Sequence, residues 1–125
     1  VLVIYARVVR LDAENLAVVG ALVDRCPSLL PVLDAHLDDY EHLLAHLFFG
    51  DVVRWAVRRH LDDSEDAELA TGLALLEQHF AKNQADELIA VSFLENLPAK
   101  ADPGAGIRQR LGPTMTKHLN EFLDR

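Results

Sequence analysis

Apolar side chains recur at helical spacing along nearly the whole chain, and that rhythm limits the fold more than any other feature of the sequence. The clearest run is Leu33, Leu37, Tyr40, Leu44 and Leu47, at steps of four, three, four and three. An α-helix turns once every 3.6 residues, so such a run lines a single face. It predicts one helix from Ser28, a cap candidate, to about Phe49, with a stop at Gly50. Pro31 falls in its first turn, where amide groups lack helical partners. The expected fold class is all-α: a single-domain helical bundle or helical-hairpin array of about six helices over residues 1–125.

The remaining helices are read in the same way. Asp12 is placed as the cap of the first, with Leu11 and Leu16 spaced as a hydrophobic staple. Leu16, Val19, Leu22 and Val23 form its inner face, and Pro27 ends it. Asp51 is placed as the cap of a third helix to about Leu61, with Val53, Val57 and Leu61 inward and a hinge at Gly50-Asp51. The acidic run Asp62 to Asp66 suits the positive end of a fourth helix, which carries Leu69, Leu73, Leu76 and Phe80 and closes at Asn83. A fifth helix spans Ala85 to Leu97, nearly apolar all round and hence central, with Leu88, Val91 and Phe93 inward. Pro103, Gly104 and Gly106 mark residues 99–106 as a mobile loop. A short helix over Ile107 to Leu111 and a last one from Thr114 to Leu123 follow, the latter with Met115, Leu119 and Phe122 inward. Residues 1–10 are rich in β-branched side chains and read as an extension outside the core domain, helical or irregular.

Charge narrows the function classes. A net charge of -8 repels phosphate backbones and anionic membrane surfaces. Nucleic acid and membrane are therefore not expected as partners, whereas a basic protein is. No stretch reaches the roughly 18 apolar residues of a membrane span, and Val1-Leu2-Val3-Ile4 lacks the flanks of a signal peptide. The one cysteine, Cys26, excludes an intrachain disulfide, fits a reducing cytoplasm and reads as a buried, inert thiol. Monomer and homodimer both fit.

Three groups of residues carry candidate chemistry. Asp39, His42 and His46 have the spacing of metal ligands on one helix face, for which zinc or iron would be the metal. A carboxylate-bridged centre needs matching residues from a second helix, and only this half is found, so no cofactor is expected. His46, Asp51, Glu95 and Asn96 are candidates for a polar core or pocket. Arg54, Trp55, Arg58 and Arg59 form a basic cluster of the residue types enriched at binding hot spots. The alternative for that cluster is internal pairing with Asp51, Asp62 or Asp63 and a packed Trp55. No nucleophile elbow, phosphate loop, dinucleotide fingerprint or zinc-protease motif occurs, so no catalytic residue is assigned and a non-enzyme is favoured.

Three segments resemble a known family. They are Cys26-Pro27-Ser28-Leu29-Leu30 with Leu33 to His36, the stretch Ala45 to Trp55 (AHLFFGDVVRW), and Ile89 to Leu97 (IAVSFLENL) followed by Leu111-Gly112-Pro113. Together they resemble a family of small bacterial all-helical proteins known as a domain of unknown function, over roughly Ala17 to Leu119. Ala45 departs from the proline of the family pattern. The resemblance implies a stand-alone bacterial cytoplasmic protein and supplies no catalytic residues. The leading functional expectation is a non-enzymatic protein–protein interaction module, in its sharpest form immunity- or antitoxin-like. The alternatives are a metal- or small-ligand-binding helical protein or enzyme, and a structural dimerisation module.

Overall fold

The computed structural model describes residues 2–123, with side chains from Asp12 onward. Five α-helices lie among them: α1 (Leu2–Arg25), α2 (Leu30–Tyr40), α3 (Ala45–Asp62), α4 (Ala67–Ala81) and α5 (Pro113–His118). Between α4 and α5 the chain forms a π-helix, Leu88–Phe93, then 3₁₀ turns at Leu94–Asn96 and Ala105–Arg110. A second π-helix, Leu119–Leu123, continues α5. No strand occurs among the described residues, and the all-α fold is as the periodicity requires.

α1 begins at Leu2, so Asp12 lies inside it and caps nothing. The opening residues are helical; Val1 lies outside the described residues. The inner face of α1 is Val18, Val19 and Leu22, with Cys26 buried just past its end, whereas Leu16 is 61% exposed. Of the predicted face, Val19 and Leu22 are buried and Val23 is partly buried against the core, so the departure is at Leu16.

The long helix predicted over residues 28–49 is two helices. α2 ends at Tyr40, Glu41 takes a left-handed φ of 66°, and α3 starts at Ala45. The buried His36 decides the break. Its Nε2 accepts the Leu44 N–H at 3.0 Å, an amide that a continuous helix would have bonded to a carbonyl. Its ring packs against Tyr40 and Phe48. The leucine stripe runs on across the break by coincidence of spacing, and Tyr40 and Leu47 are exposed. Gly50 neither stops a helix nor forms a hinge, since α3 passes through it. Phe48, Phe49, Val52, Val53 and Ala56 are the buried face of α3, while Leu61, expected inward, is 58% exposed.

α4 is as predicted. Asp66 caps it by accepting the Leu69 N–H at 2.8 Å, and Leu69, Leu73, Leu76 and Phe80 are buried. Asn83 and Ala85 take left-handed φ in the turn that follows. The apolar stretch after it packs on α3 as a central element, but through a π-helix that buries Leu88, Ile89, Ser92 and Phe93. The wider π turn carries Val91 to the outside. The π-helix after α5 has a similar effect: Met115 and Leu119 are buried, and Phe122, expected inward, is 60% exposed.

Residues 99–106, expected as a mobile loop, lead into the 3₁₀ helix Ala105–Arg110. Arg108 Nε donates to the Pro98 carbonyl at 2.9 Å, and Gly104, at φ 88°, sits so close to Val57 that a Cβ would lie 2.8 Å from its Cγ1.

Candidate functional site

The densest polar cluster lies where the end of α1 meets α3 and α4. Ser28 donates its N–H to Glu68 Oε1 and its hydroxyl to Glu68 Oε2, both at 2.8 Å. The same hydroxyl accepts from Trp55 Nε1 at 2.7 Å and from the Arg59 guanidinium at 3.2 Å. Arg59 also holds Asp66 through two contacts, at 2.8 and 3.0 Å, and Glu68 at 3.1 Å. A hydroxyl offers one donor and two acceptor sites, and all three are used here. The cluster is therefore a clasp between helices rather than a nucleophile.

Its charges are tuned by their neighbours. The hydrogen bond from Arg59, aided by the Leu69 amide, holds the Asp66 carboxyl below its ordinary range. The hydrogen bond to Asp66 pushes the Arg59 guanidinium up. Burial, with Glu68 beside it, pushes the Cys26 thiol up to about 11, so the thiolate that a nucleophile needs is scarce.

Of the basic cluster, Trp55 and Arg59 are thus consumed inside the fold, against Asp66 and Glu68 rather than Asp62 or Asp63. Both are half-buried, with their polar groups turned to partners inside the fold. Arg54 and Arg58 do face outward, Arg54 paired along the helix with Asp51.

The metal candidates do not share a helix face. Asp39 is exposed on α2, His42 lies in the turn, and His46 stands in the first turn of α3 with Nδ1 2.5 Å from Ser92 Oγ. The helix break that His36 stabilises is what separates them. Among the described residues no three His, Cys, Asp or Glu side chains converge as metal ligands would. The polar-pocket candidates also fail to gather: Asp51 is spent on Arg54, Glu95 is exposed, and Asn96, also exposed, donates to the Ser92 carbonyl at 3.0 Å. Among the described residues, Ser92, buried in the π-helix and part of the Ile89 to Leu97 segment but not itself singled out as a site residue, links His46 with Asn96.

What the surface does offer is an apolar groove of about 560 Å³ between α3 and the segment after the π-helix. Val53, Val57 and Leu61 form one wall, Pro98 and Pro103 the other. Arg54, Arg58, Asp62 and Asp102 stand around its rim. Leu61, more than half exposed, is the open apolar side chain at its edge. A larger depression of about 640 Å³, near Lys100 and Arg108, is more open to polar groups, and Arg108 is already engaged by Pro98. A third, of about 540 Å³, carries Leu16 and Leu47 between α1 and the start of α3.

Fold and surface together define an all-α protein with a closed polar clasp and an exposed apolar groove. The sequence model of a domain of unknown function, DUF7674, matches residues 19–124, and the chain belongs to that family. No curated protein and no solved structure matches it.

Proposed function

We propose that this chain is a non-enzymatic protein-interaction module that docks through the α3 groove. The observation that carries this reading is the pairing of an apolar floor with rim charges left over from folding. Arg58, Asp62 and Asp102 have no ion-pair partner among the described residues, and Leu61 is open to solvent beside them. Apolar side chains flanked by charge are the ordinary make-up of a docking surface, with a desolvated centre and a polar rim. The clasp, by contrast, is saturated and offers no reactive group.

An immunity- or antitoxin-like role is the sharper form of the proposal. The net charge of -8 and the exposed carboxylates of α2, Asp34, Asp38 and Asp39, would speed the approach of a basic partner. The experiment places a photo-crosslinking amino acid at Leu61 or, as control, at exposed Gln78 on α4, in cells that make the protein. A light-dependent protein adduct from position 61 and not from 78 is the expected result. No adduct, or the same adducts from both positions, would remove the groove as the docking surface.

A further inference from the structure

We propose that the occupant of the groove is a second copy of this chain, with the two α3 helices antiparallel about a two-fold axis. This rests on the groove being the docking surface and names what fills it. Arg54, Arg58 and Asp62 follow one another at steps of four along α3 and so form one stripe beside the groove. The stripe runs from positive to negative, and such a stripe complements itself only when the second copy is reversed. A two-fold axis passing near residue 60 sets Arg58 of each copy against Asp62 of the other, and does so twice.

The apolar residues fit the same register. Leu61 protrudes and Val57, one turn earlier, is half-buried in the wall of the groove. In the reversed copy Leu61 lies one residue from the axis, so the exposed Leu61 side chains of the two chains meet across it. Net charge selects this face as well. Two chains of charge -8 repel each other over most of their surface. The groove rim carries two arginines and two aspartates and is locally neutral, so two copies meet there with the least repulsion. The depression at Leu16 and Leu47 has no such paired charges, and nothing on it selects an occupant.

The test is the oligomeric state of the purified chain by light scattering over a concentration series, together with Arg58→Asp and Asp62→Arg. The expected result is a dimer for the unaltered chain and at least about tenfold weaker association for each single variant, because each places like charges opposite one another twice. An equal mixture of the two variants is expected to dimerise again, since both contacts then re-form between a doubly acidic and a doubly basic stripe, one of them with reversed sign. Both positions are exposed, and circular dichroism will confirm that each variant remains helical. An unaltered chain that stays monomeric, single variants that still dimerise, or a mixture that stays monomeric would each overturn the proposal. If the crosslinker at Leu61 then captures a different protein, the groove remains the docking surface and only its occupant was wrong. If it captures nothing, both readings fall.

Discussion

Three glutamates reach out of their own helices to hold the backbone of another segment. Glu68 takes the Ser28 amide, Glu14 takes the Ala85 amide at 3.2 Å, and Glu77 takes both the Thr114 and Met115 amides at 2.9 Å. The first amides of a helix have no intrahelical partner, so a carboxylate there stabilises the helix start. Glu77 also explains Gly112, where a Cβ would overlap the Glu77 side chain. Glu77→Ala is expected to cost about 1–2 kcal/mol, the range of a lost helix cap. Gly112→Ala is expected to destabilise the unaltered chain but cost much less once Glu77 is Ala. A urea-denaturation cycle over the four proteins reads that coupling. The Leu-Gly-Pro signal was visible in the sequence. Its cause was not, because Glu77 lies 35 residues away, in α4.

The break between α2 and α3 can be tested at the scale of the element. His36→Leu removes the acceptor for the Leu44 amide and should destabilise the fold by about 1–3 kcal/mol, the usual cost of an unsatisfied buried group. Gly50→Ala should act the other way. Gly50 lies inside α3, and a Cβ there would meet nothing nearer than the Arg54 guanidinium at 3.9 Å. Replacing glycine by alanine within a helix is worth about 0.5–1 kcal/mol, so a higher melting temperature is expected. A hinge at Gly50 would instead give no gain. The α3–α4 clasp has its own signature in acid. The folded state holds the Asp66 carboxyl below its ordinary range, so this contribution is fully present above the unfolded carboxyl pKa. It is lost as pH falls through the carboxylate range toward the folded value. Asp66→Asn should therefore lower stability at neutral pH and flatten its acid dependence, as denaturation at a series of pH values would show.

For the molecule as a whole, Cys26 is the probe at the centre. It is fully buried beneath Gly72, where a Cβ would approach its Sγ to 3.1 Å, and burial has pushed the thiol up to about 11. Labelling of the native protein by a thiol reagent at mild alkaline pH should be slow and should keep pace with unfolding, accelerating with urea. Fast labelling without denaturant would show that α1 and α4 separate locally. Helix content, the acidic start of α4 and its buried face were legible from the residues alone, because periodicity and end charges are local properties of adjacent residues. The faces of α1 and the last helix were misjudged at Leu16 and Phe122, because spacing marks a stripe without saying which neighbour covers it. The three metal candidates looked aligned only while one helix was assumed, and the basic cluster looked uniform only until Trp55 and Arg59 turned inward to Ser28 and Asp66. Local spacing thus sufficed for an acidic, all-helical chain without a familiar catalytic motif. Which charges are spent and which stay free follows from residues far apart in sequence, such as Ser28 with Glu68 and Val57 with Gly104, whose contacts exist only once the helices pack.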